Sequence, residues 1–295
     1  MIPEGMEFEN LEELQAFLDQ QMRLQNSQSR FEFEGYSPLE MQTLLYQPFS
    51  SESPLQIKKA APEDYQQVPV LQNVKVIINH IAASGELKLT QKGFLPVKLV
   101  EEVYHQGLMK DEMVEKGFNK VYKETDTIAV RLPRILLDFS GVVKKRNNKL
   151  SLTKNGEKVA SDDYSLWKLL FESFCTRYNW GYFDGYDNQV VGALGFGFSL
   201  ILLNKYGMEI RPADFYAEKY LNAFPSLIQQ VPYSGYGDHI ESIFSCYNIR
   251  TFKRGFDLFG LTTLTGESFR KNLQIVNTPN FSKMINIRQS QFLNN

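Results

Sequence analysis

Apolar residues recur mainly at the three- and four-residue spacing of a helix along this chain of 295 residues. This spacing predicts helices over most of the chain, because positions so spaced share one helical face. Caps support the prediction: Ser37-Pro38-Leu39-Glu40 offers a helix cap, a first-turn proline and a capping-box glutamate. Period-two alternation, typical of strands, is confined to short segments such as Leu150-Ser151-Leu152-Thr153. The pattern predicts a mainly α fold with small β-hairpins, in the α+β class.

Shifts in the pattern divide the chain into three predicted regions. Residues 1–64 hold acidic N-terminal helices and most of a connection that runs from Ser50 to Pro69, which is either a linker or an ordered strap. Residues 65–175 alternate helices with short strands. Residues 176–295 predict a helical, aromatic-rich C-terminal domain with a terminal hairpin. The first helix carries an apolar stripe formed by Leu11, Leu14, Leu18 and Met22.

A short pattern, L-x-L-T-x-x-G, occurs twice in the middle region. It spans residues 87–93 and residues 150–156, and each copy lies between two predicted helices. The two leucines of each copy would face the same side of a strand and pack on the helices. The pattern indicates either a structural repeat or a chance similarity. Between the copies, residues 119–130 have β character, and Pro133 is predicted to start a helix.

The segment after Gly141 predicts a basic hairpin. Val142 and Val143 are strand-like, residues 144–149 form a polar, basic tip, and Leu150 and Leu152 alternate on the returning strand. Helix, strand, polar tip and strand is the order of a recognition helix followed by a wing. Residues 65–175 are therefore predicted to contain winged-helix-like units.

Two segments of this region carry a resemblance. The stretches LTQKGFLPVKLVEEVYHQGL and GVVKKRNNKLSLTKNGEKVASDDYSLWKLL resemble segments of uncharacterised bacterial proteins. In some of those proteins the segments accompany a domain related to plasmid and insertion-sequence passenger proteins. The resemblance covers about residues 70–175 and implies a mobile-element setting, and it transfers no catalytic residues.

The overall charge is balanced, so a nucleic-acid surface would have to be local. The chain has 32 basic and 34 acidic residues, a net charge of −2, whereas a nucleic-acid protein typically has a basic excess. The hairpin and the helix before it supply the candidate nucleic-acid-binding residues, namely Lys144, Lys145, Arg146, Lys149, Arg131 and Arg134. That helix offers few side chains able to read base edges, so a protein-contact role for the unit remains the alternative.

A loop rich in glycine and aromatic residues follows at residues 179–188. It predicts a surface for a partner or ligand, with the candidate residues Trp180, Tyr182, Phe183, Asp184, Tyr186 and Asp187. The leading prediction is a non-enzymatic binding protein that contacts a protein partner or nucleic acid. The alternative is a hydrolase-like or metal-dependent enzyme that uses Asp184 and Asp187 with His239. No catalytic or metal-binding motif supports that alternative, and no cofactor is predicted.

Cysteine content and hydropathy bear on the compartment. The two cysteines, Cys175 and Cys246, form no CxxC motif, so neither a disulfide framework nor a zinc site is predicted. The N-terminus lacks the apolar segment of a signal peptide. The longest near-apolar run, Val190 to Leu203, is shorter than the about 20 residues needed to span a bilayer. These features predict a cytoplasmic protein without a membrane span, and they leave the oligomeric state open.

Overall fold

A computed structural model describes residues 8, 10–233, 237–266 and 273–291 of the chain. Its helices are α1 (Leu11–Ser27), α2 (Pro38–Tyr46), α3 (Pro62–Tyr65), α4 (Pro69–Ser84), α5 (Val97–Gln106), α6 (Glu112–Glu115), α7 (Ile128–Phe139), α8 (Lys154–Ala160), α9 (Asp163–Thr176), α10 (Phe196–Tyr206), α11 (Ala213–Ala223), α12 (Ser226–Gln230), α13 (His239–Asn248) and α14 (Pro279–Met284). A 3-10 turn spans Trp180–Phe183, and a π-helix, Ile249–Phe256, continues α13.

Short strands form three antiparallel sheets. The strands are β1 (Leu55–Ile57), β2 (Leu87–Lys88), β3 (Val143–Arg146), β4 (Lys149–Leu152), β5 (Arg211–Pro212), β6 (Thr262–Thr265), β7 (Gln274–Asn277) and β8 (Ile285–Ile287). Their orders are β1-β8, β2-β4-β3 and β5-β7-β6. The predicted fold class, mainly α with small β-hairpins, is confirmed.

The two L-x-L-T segments are neighbours in one sheet. β2 pairs with β4, which places Leu87 opposite Leu150 and Lys88 opposite Lys149. Both leucines are buried, at 4% and 0% exposure, because this face of the sheet covers the helices. The interpretation as successive copies of a unit is corrected: the segments are two strands of a single unit, separated along the chain by α5, α6, α7 and β3.

Helix α7 begins earlier than the sequence pattern predicts. Thr127 caps it, its first residue is Ile128, and Pro133 lies inside it, while residues 119–127 contain no strand. A proline inside a helix has no N–H for the carbonyl four residues earlier. Here that carbonyl, Ala129 O, accepts a hydrogen bond of 2.9 Å from Nδ2 of the buried Asn73 in α4. A side chain from another helix thus replaces the missing donor.

The connection from Ser50 to Pro69 corresponds to the strap rather than to the linker alternative. It contains β1, which pairs with β8, and α3, whose Asp64 forms an ion pair with Lys283. The backbone N of Arg288 also donates to Pro54 O at 2.9 Å. The strap is ordered because its backbone and side chains are bonded to the C-terminal part of the chain.

Helix α9 carries the aromatic core of the C-terminal half. Trp167 stacks on Phe171 with ring centroids 5.0 Å apart, and its indole Nε1 donates to Phe259 O at 3.2 Å. Phe174 packs on both Phe259 and Trp180. Such ring pairs add stabilisation beyond their large buried area, so α9 is held in the core of the C-terminal half, and it also packs against α7. Among the described residues, no helix combines the length and apolar character that a membrane span requires.

Candidate nucleic-acid interface

The basic hairpin predicted after Gly141 is formed by β3 and β4. Its two turn residues, Asn147 and Asn148, have φ angles of 48° and 57°. Positive φ at both central residues is the geometry of two-residue hairpin turns, because its twist matches that of the strands. Asparagine tolerates this conformation better than most residues other than glycine. The local sequence therefore fixes a tight, well-defined hairpin.

The tip of the hairpin is anchored to the segment after β2. Asn148 Nδ2 donates to Leu89 O at 3.2 Å and to Thr90 O at 2.7 Å, and Asn148 O accepts from Leu89 N at 2.9 Å. These bonds extend the pairing of β2 and β4 to the turn. The hairpin is thus held as part of a three-stranded sheet rather than projecting alone.

Alternation along the strands separates the hairpin into two faces. Val143, Leu150 and Leu152 point toward the helices, where Val143 and Leu150 are buried. Lys144, Arg146 and Lys149 point to the opposite face, because successive strand residues alternate sides. The outward side chains are exposed or half-exposed, and Lys145, on the other side of β3, is exposed as well.

Cations form a row across all three strands on the outward face. Lys149 lies opposite Arg146 in β3 and opposite Lys88 in β2. Lys144 adds a fourth cation beside this row. We call these four residues, Lys88, Lys144, Arg146 and Lys149, the basic sheet face. Like charges directly opposite one another disfavour strand pairing, so this row does not serve the stability of the sheet.

Lys88 was missed in the sequence analysis. Its position is the first x of the L-x-L-T pattern, and that pattern alone could not show that β2 pairs with the hairpin. Lys145, by contrast, belongs to the inward-facing register of β3. Its Nζ lies against Gly93 in the turn before α5. The approach is so close that a Cβ added to Gly93 would lie 2.5 Å from this atom.

One acidic residue lies close to the basic sheet face. Glu86, directly before β2, forms an ion pair with Lys149. Both side chains are about half exposed, at 52% and 44%. Exposed pairs of this kind contribute only about 0–1 kcal/mol, so Lys149 can exchange this partner for another anion at little cost.

Helix α7 does not present a reading surface. Its residues Ala129, Val130, Leu132, Pro133, Arg134, Leu136 and Leu137 are buried. α4, α5 and α9 pack around it, and Arg177 Nη1 from beyond α9 donates to Phe139 O at 2.8 Å. A helix that reads base edges has to enter the major groove, and α7 is covered on too many sides to do so.

The two arginines of α7 are placed differently from the hairpin cations. Arg134 is 5% exposed and forms an ion pair with Asp138, so it is corrected from a surface cation to a buried one. The Arg131 guanidinium lies 4.7 Å from the ring centroid of Tyr182. Near them, burial raises the pKa of Glu124, an effect opposed by a hydrogen bond from Leu95 N and by Arg134.

The aromatic loop at residues 179–188 is only partly a surface. Trp180 is 3% exposed and donates from Nε1 to Phe174 O at 3.0 Å, so it belongs to the core. Tyr186 is half-buried, whereas Tyr182 and Asp187 are exposed. The side chain of Phe183 lies outside the described part of the structure.

Asp184 is committed to a buried ion pair. Its Oδ2 lies 2.6 Å from Arg250 Nε and its Oδ1 lies 3.0 Å from Arg250 Nη2. The two side chains are 4% and 0% exposed. Arg250 also donates to Asn188 and Val191, which satisfies its remaining groups. The structure therefore moves Asp184 from the predicted partner surface to the interior.

The residues considered for catalysis are not arranged as a metal-binding site. His239 Nε2 is engaged with Ile228 O at 3.0 Å. Within the described ranges, no group of three or more histidine, cysteine, aspartate or glutamate side chains is arranged to hold a metal ion. Arg250, which fixes Asp184, was missed because 66 residues separate the two and no motif links them.

Comparison with known proteins gives a similarity for part of the chain. No curated protein and no solved structure matches it significantly. Residues 66–165, which contain the β2-β4-β3 sheet with α4, α5, α7 and α8, match the family model described as Y4jL N-terminal domain. This match covers about one third of the chain and is a similarity of that part alone.

Proposed function

We propose that residues 69–152 form a winged-helix-like unit that binds the phosphate backbone of nucleic acids through the basic sheet face. The topology supports the first part of the proposal. The order α4-β2-α5-α7-β3-β4, with β2 on the outer side of β4, is that of a winged helix with an additional short helix, α6. The hairpin β3-β4 takes the place of the wing.

The row of cations carries the proposal. Lys88, Lys149 and Arg146 face solvent side by side across three strands, at an inter-strand spacing of about 4.8 Å. Concentrating like charge in this way costs stability, and a polyanion would remove that cost. Lysine and arginine also release counterions from a nucleic acid when they neutralise its phosphates.

The burial of α7 favours contacts that do not read the base sequence. Base-specific recognition needs side chains that reach base edges, and α7 offers mainly apolar, covered residues. Contacts from the basic sheet face would therefore go to phosphates and sugars, which position a protein without reading sequence. We expect similar affinities for duplexes of unrelated sequence.

The enzyme alternative receives less support. Its residue Asp184 holds Arg250 in a buried, bidentate ion pair, and His239 contacts a backbone carbonyl. A carboxylate saturated by a guanidinium is a poor general base, because protonating it would break the pair. Asp187 alone remains at the surface.

Fluorescence anisotropy with a labelled duplex of mixed sequence tests the proposal. Binding should weaken steeply between 50 and 200 mM salt, with a log–log slope of about −3 to −4 for four phosphate contacts. Replacing Lys144, Arg146 and Lys149 by alanine should lower the affinity at least about tenfold and reduce the slope by about 0.9 per cation removed.

A matched control is Lys168→Ala, which removes a half-exposed lysine from α9, away from the hairpin. It should leave both the affinity and the slope unchanged. Two results would contradict the proposal: no salt-dependent binding by the parent protein, or equal binding by the parent and the triple variant. Strong preference for one duplex sequence would contradict backbone-only contact.

A further inference from the structure

Among the residues that the structure describes, none covers the apolar stripe of helix α1. The helix is 17 residues long and contains no buried residue. Leu11 is 79% exposed, Leu18 38% and Met22 55%, although all three lie on one face at helical spacing. Its contacts within the described structure are mainly with α2. An amphipathic helix of this kind normally gains its stability by burying the apolar face.

The turn that follows α1 is firmly bound to the rest of the molecule. It places Glu34 at a φ of 57° and inserts its carboxylate, 8% exposed, into the C-terminal half. Lys205 Nζ and the Tyr206 hydroxyl donate to Glu34 at 2.6 Å each, and Lys219 Nζ at 2.7 Å. Tyr36, which follows, is buried. The C-terminal end of α1 is thus attached to a firmly held segment, and its apolar stripe faces solvent.

Charge along this segment is distributed in two blocks. Residues 1–19 contain six acidic residues and no lysine or arginine, whereas residues 20–30 contain Arg23 and Arg30 and no acidic residue. Within α1 itself, Glu12, Glu13 and Asp19 precede Arg23, so a parallel pair of these helices would place like charges beside one another. An antiparallel pair would place the acidic first turn of one helix beside Arg23 of the other.

We propose that α1 pairs in antiparallel orientation with α1 of a second copy of this chain. A two-fold axis would pass near Leu18, so that Leu18 meets Leu18 of the other copy. Leu11 of one helix then lies beside the helical turn of the other copy that contains Gln25. The acidic first turn, with Glu12, lies beside Arg23 of the other helix. Two helices about 25 Å long bury less than the roughly 1,200 Å² of a standard interface, so the dimer is reversible.

This pairing extends the proposed nucleic-acid function. A dimer carries two basic sheet faces, and the second contact on the same nucleic acid becomes intramolecular. Apparent affinity for a long duplex then exceeds that for a short one. The dimer itself rests on α1 alone, so its test needs no nucleic acid and can fail independently of the proposed function.

Sedimentation equilibrium over a wide concentration range tests the dimer. The parent chain should shift from monomer to dimer, and Leu18→Glu should weaken the dimer at least about tenfold, because it places two carboxylates at the axis. Gln20→Glu, which adds the same charge on the polar face of α1, is the control and should weaken it far less. A parent protein that stays monomeric at every concentration would overturn the proposal. This holds also if the monomer binds lipid vesicles through Leu18, since the stripe would then serve a membrane surface rather than a second copy.

Cysteine cross-linking tests the orientation. The natural cysteines Cys175 and Cys246 are both buried, so an introduced cysteine on α1 is the reactive one. Leu18→Cys should form a disulfide-linked dimer, and Leu11→Cys mixed with Gln25→Cys should form a linked heterodimer. Leu11→Cys by itself should link poorly. Efficient linking of Leu11→Cys alone would show parallel pairing and overturn the antiparallel arrangement.

Discussion

At the scale of single residues, the buried pair of Asp184 and Arg250 shows how environment decides the role of a carboxylate. In the sequence, Asp184 stands among glycines and aromatic residues, a context that suits a turn, a binding surface or a catalytic acid. In the structure, it neutralises a guanidinium that is 0% exposed. Its role is to hold the loop at residues 179–188 on the π-helix that carries Arg250.

Asp184→Asn should destabilise the protein strongly. The substitution keeps the shape of the side chain but leaves the Arg250 charge buried without a counter-ion, which typically costs about 3–5 kcal/mol. The measurement is the free energy of unfolding from urea titration. Asp187→Asn, the same change at an exposed site of the same loop, is the control and should stay within about 0.5 kcal/mol. Equal, small effects of the two substitutions would contradict this role for Asp184.

At the scale of elements, α7 shows that a helix can continue through a proline when another element supplies the missing partner. Asn73 of α4 donates to Ala129 O, the carbonyl that Pro133 cannot serve, and its Oδ1 accepts from Met109 N at 3.0 Å. The sequence rule that proline starts or ends a helix therefore gave the wrong beginning for α7. One buried amide joins α4, α7 and the segment after α5.

Asn73→Ala should cost about 2–4 kcal/mol, because it leaves Ala129 O and Met109 N buried without these partners. The cost should be smaller in a Pro133→Ala background, where residue 133 regains an N–H for Ala129 O. A double-mutant cycle on unfolding free energies measures this coupling, which we expect to be about 1 kcal/mol. Additive effects of the two substitutions would show that Asn73 does not substitute for the helical donor. Asn155→Ala, at an exposed site, is the neutral control.

At the scale of the whole molecule, contacts between residues far apart in the sequence join the N-terminal segment to the C-terminal half. β1 pairs with β8, and Glu34 bonds to Lys205 and Lys219, which lie 171 and 185 residues away. Burial opposes ionisation of Glu34, but its three hydrogen bonds outweigh this and lower the pKa of the carboxyl below 4.5. The carboxylate form is therefore the one that ties the N-terminal segment to the C-terminal half.

Glu34→Gln should lower stability at pH 7 by about 1–3 kcal/mol, through loss of charge-assisted hydrogen bonds. Because the folded-state pKa is lowered, the contribution of Glu34 is complete above its unfolded pKa and is lost as the pH falls through the folded value. The difference between parent and variant should therefore shrink below about pH 4.5. Thermal unfolding from pH 3 to 7 measures it. Glu32→Gln, at an exposed site two residues earlier, should change stability little, and a pH-independent difference for Glu34→Gln would contradict the argument.

The sequence by itself determined what depends on neighbours along the chain. The spacing of apolar residues and the cap at Ser37 predicted helices that the structure contains, and alternation around Leu150 predicted the hairpin, because these signals act over a few residues. The cations Lys144, Arg146 and Lys149 could be nominated for the same reason.

Only the tertiary structure decided which surfaces remain open. It joined Lys88 to the hairpin, buried Arg134 and Asp184, covered α7 with α9, and turned the segment from Ser50 to Pro69 into a strap. Among the described residues, it also left the apolar stripe of α1 exposed, whereas the apolar residues at the same helical spacing in α4 are buried. The physical reason is that burial and strand pairing depend on residues tens to hundreds of positions apart, about which local periodicity carries no information.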